Sequence, residues 1–136
     1  MIKTFPASLD SLYEMLAFIR VQAIAADFHP SCISQIELAA EEALVNIVSY
    51  GYPTSSGNIE IECQVKNEDF RALQIIIRDQ GVPYDPLSSF VERKEIPAIE
   101  KRKPGGYGVF FILKIMDEVH YKREGDTNVL ILVKYL

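Results

Sequence analysis

Residues 59 to 77 constrain the fold of this chain more than any other stretch. Ile59, Ile61, Cys63 and Val65 alternate with Glu60, Glu62 and Gln64, the period-two pattern of a strand with one buried and one wet face. Asn67-Glu68-Asp69 makes a turn, and Ala72 to Ile77 is then apolar almost throughout, as a central strand is. A half-buried strand leading into a fully buried one calls for a sheet whose inner face is covered by something apolar. The cover is legible upstream. Leu9, Leu12, Tyr13, Leu16, Ile19 and Ile24 recur at helical spacing, predicting a helix from about Ser8 to Asp27 with Ser8 as its N-cap. His29-Pro30 interrupts it. A second helix, capped by Ser31 or Ser34, carries Ile33, Ile36, Ala40, Ala43, Leu44 and Ile47 and runs to about Tyr50, where Gly51 and Pro53 stop it.

The remaining elements complete a pattern. Ile2 to Phe5 reads as a short strand ended by Pro6, and its exposed edge invites a second copy of the chain to pair as a homodimer. Residues from about Pro86 to Pro104 have no periodicity, and a long irregular segment in a small domain is usually functional or disordered. A helix follows from Tyr107 to about Met116. Glu118 to Tyr121 and Val129 to Tyr135 read as two strands joined at Glu124-Gly125-Asp126. Helices with one apolar stripe must lie on one face of the sheet, so the expected fold is α/β: a two-layer α/β sandwich, its sheet mixed but mostly antiparallel. With 136 residues, one domain over 1–136 is expected.

Composition narrows the function. A net charge of −5 argues against a broad nucleic-acid surface. No apolar run approaches the roughly 20 residues of a spanning helix, and Met1 to Pro6 lacks a signal-peptide hydrophobic region, so a cytoplasmic protein without a membrane partner is expected. Cys32 and Cys63 match no CxxC or His-bearing pattern and read as reduced thiols. With His29 and His120 alone, a histidine-based metal site or triad has little material.

Three short motifs carry the chemistry. In Glu42-Ala-Leu-Val-Asn46, a carboxylate and an amide lie one helical turn apart, about 80° from the centre of the apolar stripe, which suits the lining of a cleft. The carboxylate can polarise a hydroxyl, and an amide oxygen can bind Mg²⁺, which takes few protein ligands; an exposed helical edge is the plainer reading. Asp79 ends the apolar strand, where a carboxylate can accept from an exocyclic amine such as adenine N6, with Gly81 letting a flat base approach; an Asp-x-Gly turn explains the same residues. Gly105-Gly106-Tyr107-Gly108 opens an apolar helix, and free N–H groups at a helix start suit phosphates, though a glycine hinge fits too. Lys101-Arg102-Lys103 either neutralises a triphosphate or is a solvated basic patch. The glycines form neither a P-loop nor a Rossmann fingerprint.

With these motifs in this order, the chain resembles the anti-sigma-factor serine kinases, members of the wider superfamily of ATPases that includes gyrase and the histidine kinases. The resemblance rests on Glu-Ala-Ala-Glu-Glu-Ala-Leu-Val-Asn, Arg-Asp-Gln-Gly-Val-Pro-Tyr-Asp-Pro and Gly-Gly-Tyr-Gly-Val-Phe-Phe-Ile-Leu-Lys-Ile-Met-Asp-Glu-Val. It implies a histidine-kinase-like ATPase fold that binds ATP and Mg²⁺. Glu42 matches the catalytic-base position, Asn46 the magnesium ligand, and Asp79 the adenine-binding acid with Gly81 beside it. Gly105, Gly106 and Gly108 match the phosphate-contacting glycines, Arg102 is the nearest candidate for a lid arginine, and residues Leu87 to Pro104 match a flexible lid. The implied activity is phosphorylation of a serine on an anti-anti-sigma protein, alternating with sequestration of a sigma factor. A nucleotide-gated module that sequesters without transferring phosphate is the other reading. Tyr50 stands where many relatives have His, Tyr84 replaces a common Phe, Val109 a common Leu, and Asn128 stands near a common Thr beside the adenine.

Overall fold

A computed structural model describes residues 1–52, 56–67, 69–87 and 108–136. Strand β1 (Ile2–Pro6) leads through a short 3-10 turn, Leu9–Ser11, into helix α1 (Leu12–Ala25) and then α2 (Pro30–Asn46), which continues as a π-helical turn, Ile47–Gly51. Strands β2 (Asn58–Lys66) and β3 (Ala72–Asp79) follow, then helix α3 (Gly108–Ile115) and the hairpin of β4 (Glu118–Glu124) and β5 (Thr127–Tyr135). The sheet order is β1-β2-β3-β5-β4 and each of the four pairings is antiparallel. Strand β4 runs parallel to β3, since both oppose β5, but β5 lies between them. Strand β3 is central and β1 is an edge, as their patterns predict.

The inner face of the sheet carries the alternate residues of three strands. Ile59 and Ile61 of β2, Ile75 and Ile77 of β3 and Leu132 of β5 have no exposed surface. They form one core with Met15 and Ile19 of α1, Ile36 and Leu44 of α2, and Ile112 of α3. At about 1.5–3 kcal/mol for each such side chain removed from water, this layer contributes the main stabilisation of the domain. The outward face of β3 is mixed: Ala72 and Ile76 are buried, Gln74 is partly buried, and Arg78 is held by Glu60 and Glu62 of β2 at 2.9 and 2.8 Å. Helix α1 is less one-sided: Tyr13, Val21 and Ile24 point outward and are exposed.

Two helix starts differ in detail from the sequence expectation. Ser8 does cap, its Oγ accepting from the Asp10 N–H at 3.1 Å, but it caps the 3-10 turn that precedes α1. The second helix is capped by neither Ser31 nor Ser34. Pro30 takes the first helical position, where its fixed φ suits and its missing N–H costs nothing, so the preceding residue becomes the cap. That residue is His29, whose Nδ1 accepts from the Ser31 N–H at 3.2 Å. Both cysteines are free thiols, and burial pushes the Cys63 thiol up to about 12, so it stays protonated and unreactive.

Candidate nucleotide site

The site lies where the C-terminal end of α2 meets the C-terminal end of β3. Two glycines make the meeting possible. A side chain at Gly81 would place its Cβ 2.6 Å from the Gly51 carbonyl oxygen and 2.9 Å from Asp79 Oδ1. The Gly51 carbonyl also accepts from the Val82 N–H at 3.1 Å. The backbone of residue 51 pressed against Gly81 is by itself enough to require glycine at that position. The π-helical turn between Asn46 and Gly51 delivers that carbonyl, a use of irregular helix common at functional sites. Arg123 of β4 ties down the same loop by donating from Nη1 to the Gly81 carbonyl at 2.9 Å. Gly81→Ala is expected to destabilise the fold by about 1–3 kcal/mol, because both nearest atoms belong to groups with little freedom to yield. Thermal unfolding checks this, and a melting temperature equal to that of the wild type would show that the contact is softer than its geometry.

Asp79 is buried, with only 4% of its surface exposed. Its Oδ1 accepts from the Gly81 N–H at 2.9 Å and from the Asn128 side-chain amide at 3.1 Å. The turn reading of Asp79-Gln80-Gly81 holds, since one oxygen of Asp79 closes the turn on the Gly81 N–H. Asn128 sits directly opposite Asp79 in the β3–β5 register. Its Nδ2 also donates to the Val82 carbonyl at 3.0 Å, while its Oδ1 accepts from the Tyr121 hydroxyl at 2.6 Å and the Tyr84 N–H at 3.4 Å.

Asn46 is more deeply placed than its angle on the helix predicts. It is 3% exposed, because the ends of β3 and α3 close over the last turn of α2. Its Nδ2 is buried with no hydrogen-bond partner among the described residues. An unpaired buried amide costs about 1–3 kcal/mol, so such a group in a folded protein is generally there for something that binds it. Glu42, one turn earlier, is half-buried; burial and then the neighbouring Glu41 carboxylate push its pKa above the ordinary glutamate value.

Asn46, Asp79, Tyr84, Ile112, Tyr121 and Asn128 line one narrow, largely apolar cleft with a free volume of about 20 Å³, room for a water molecule and little more. At its mouth Tyr84 stacks on Tyr50, ring centroids 5.1 Å apart and planes 23° from parallel. Burial, followed by Tyr50 and Asp85, raises the Tyr84 pKa.

The structure therefore brings Asn46 and Asp79 together in one cleft, with Gly81 beside Asp79 in its turn, while Glu42, one helical turn before Asn46, is not among the residues that line the cleft. Gly108 is the first residue of α3, close to the predicted helix start. Arg102, Gly105 and Gly106, with the expected lid from 87 to 104, lie outside the described residues beyond Leu87. Sequence reasoning missed Gly51 as the partner of Gly81 and Asn128 as the partner of Asp79. Gly51 carried a signal, but as a helix stop. The Asn128 contact depends on strand register across many residues, which no local pattern encodes.

Residues 5–134 of the chain match the family model described as a histidine kinase-like ATPase domain. The chain is 30% identical to the serine-protein kinase RsbW of Oceanobacillus iheyensis over 115 residues, covering 80% of this chain and 69% of that one. Against the RsbW of Halalkalibacterium halodurans the identity is 30% over 110 residues, 76% of this chain and 63% of the relative's length. The anti-sigma F factor of Clostridium kluyveri is 22% identical over 89% of this chain and 84% of its own. Among solved structures, the histidine kinase domain of the Erythrobacter litoralis blue-light activated histidine kinase covers 90% of this chain and 60% of that one, at 12% identity and a TM-score of 0.48. The chain belongs to the histidine kinase-like ATPases and, within them, to the anti-sigma serine kinase family.

Proposed function

We propose that this protein binds Mg-ATP at the cleft, phosphorylates a serine of an anti-anti-sigma protein and sequesters a sigma factor. The observation that carries the reading is one pairing. Asp79, whose hydrogen bonds both end on Oδ1, shares a cleft with the unpartnered amide of Asn46. Oδ2 is then the acceptor left for the adenine N6 amine. The Asn46 amide, turned to present its oxygen, suits Mg²⁺, which binds hard oxygen and completes its shell from phosphates and water. No cluster of three His, Cys, Asp or Glu side chains occurs among the described residues, so a site built from one amide and the nucleotide's own oxygens fits the donors at hand. Asn46 would hold the ion, and the chemistry it would supply there is neutralisation of the phosphate charge. Glu42 takes the proton of the incoming serine hydroxyl as its oxygen bonds to the γ-phosphorus and the bond to the β–γ bridging oxygen breaks, releasing ADP. The start of α3 at Gly108 offers N–H groups to the phosphates. Because the cleft is tight, its walls separate when the base enters.

The test is incubation of the protein with labelled ATP, Mg²⁺ and a candidate anti-anti-sigma protein. Label on a partner serine supports the kinase. Tight partner binding without label supports instead a nucleotide-gated sequestering module. No saturable binding of Mg-ATP at millimolar concentration, by titration calorimetry, rejects both. ATP and sigma factors are cytoplasmic, and that is where we place the protein; among the described residues no helix is long and apolar enough to cross a membrane.

We further propose a homodimer, since β1 is an edge strand whose outer side has no paired strand among the described residues. Light scattering at tens of micromolar with nucleotide present checks it, and a single species at monomer mass would reject it.

A further inference from the structure

The amide of Asn128 has no capacity left. A primary amide offers two N–H donors and two oxygen lone pairs. Here the donors go to Asp79 Oδ1 at 3.1 Å and the Val82 carbonyl at 3.0 Å. The lone pairs take the Tyr121 hydroxyl at 2.6 Å and the Tyr84 N–H at 3.4 Å. Two donors at one end and two acceptors at the other fix which end is oxygen, and at 5% exposure the group is sealed from water. Asn128 therefore has nothing to offer a base directly. What it does is act on Asp79.

We propose that Asn128 is a positioning residue that sets the base specificity of the site for adenine over guanine, by occupying Asp79 Oδ1. The inference rests on the reading of the cleft as a purine nucleotide site. A free carboxylate is a good guanine reader: its two oxygens take the N1–H and N2–H of guanine side by side. Adenine offers one donor, N6–H, beside the acceptor N1. With Gly81 N–H and Asn128 Nδ2 both on Oδ1, only Oδ2 is free to accept, and a single acceptor matches adenine. The guanine N2–H then meets an oxygen whose lone pairs are already used, and a donor buried without a partner is costly. Tyr121 pins the amide's oxygen end and so keeps its nitrogen end on Asp79.

The experiment measures dissociation constants for Mg-ATP, Mg-GTP and the inosine analogue Mg-ITP, which has N1–H but no N2 amine, on the wild type, Asn128→Ala and Tyr121→Phe. The wild type is expected to bind ATP at least about 100-fold more tightly than GTP, and ITP more tightly than GTP, because ITP carries no N2 amine to be buried without a partner. In Asn128→Ala the ATP-to-GTP preference is expected to fall about tenfold, and GTP to bind several-fold ahead of ITP as N2–H finds the released Oδ1. A merely structural role would weaken all three nucleotides together and leave the ratios unchanged, and that result overturns the proposal. If Asn128→Ala does not fold by thermal melting, Tyr121→Phe decides: about a threefold loss of preference supports the proposal, and an unchanged preference rejects it. A wild type that binds none of the three overturns the nucleotide-site reading itself, a failure separate from a wild type that binds ATP with variants of unaltered preference.

Discussion

Asp79→Asn is expected to weaken Mg-ATP binding about 100-fold while leaving the fold intact. The size follows from the way the carboxylate is held. Gly81 N–H and Asn128 Nδ2 both donate to Oδ1, at 2.9 and 3.1 Å. An asparagine in the same place must put its oxygen there, since an amide nitrogen would face two donors. Its NH₂ group is then forced into the Oδ2 position, opposite the adenine N6 amine. Two donors meet where a donor met an acceptor, so the substitution both loses a hydrogen bond to a charged group and buries an unsatisfied one. Together these cost about 2–3 kcal/mol, and each 1.4 kcal/mol is tenfold in affinity. Titration calorimetry of the variant, beside a melting curve to show that it folds, makes the measurement. Wild-type affinity in a folded variant would mean that Asp79 does not read the base.

Glu42→Gln is expected to keep Mg-ATP binding and lower phosphoryl transfer by about 10²–10⁴-fold, the usual contribution of a positioned general base. Glutamine preserves the size and the helix but cannot accept the serine proton. Burial and the Glu41 charge lift the Glu42 pKa above the ordinary glutamate value, which makes the carboxylate a better base near neutrality. A base works when deprotonated, so transfer falls as pH drops through this raised value. The acid limb of the wild-type rate profile should lie above the ordinary glutamate range, and the variant should lose that limb. Label transfer to a partner serine, measured for both proteins across pH, is the check. Equal rates would remove Glu42 from the chemistry and shift weight to the sequestering module.

Much of the fold was legible because its signals are local. The alternation of residues 59 to 65 and the nearly unbroken apolar run of 72 to 77 placed β2 and β3, and β3 is the central strand of the sheet. Ser8 capped the first helical turn as a serine at that position should. Pro30 misled only in assigning the cap, since proline's preference for the first helical position outweighed the serines that follow it.

The candidate site divides the same way. The residue types and their order in Glu42-to-Asn46, Asp79-to-Gly81 and Gly105-to-Gly108 are properties of the sequence alone, and together they sufficed to identify the family. What those residues touch was decided only by tertiary structure. Gly81 is required by the carbonyl of Gly51, 30 positions away in the chain, which a helix end carries to it. The buried amide of Asn46 depends on strand and helix ends closing over α2, where periodicity predicted a half-open edge. The pairing of Asp79 with Asn128 exists because β5, and not β4, lies against β3 in one particular register. A hydrophobic pattern fixes which face of a strand is buried. Which residue stands opposite which is fixed by the packing of the whole sheet, and at this site that choice determines which oxygen of Asp79 the protein itself occupies.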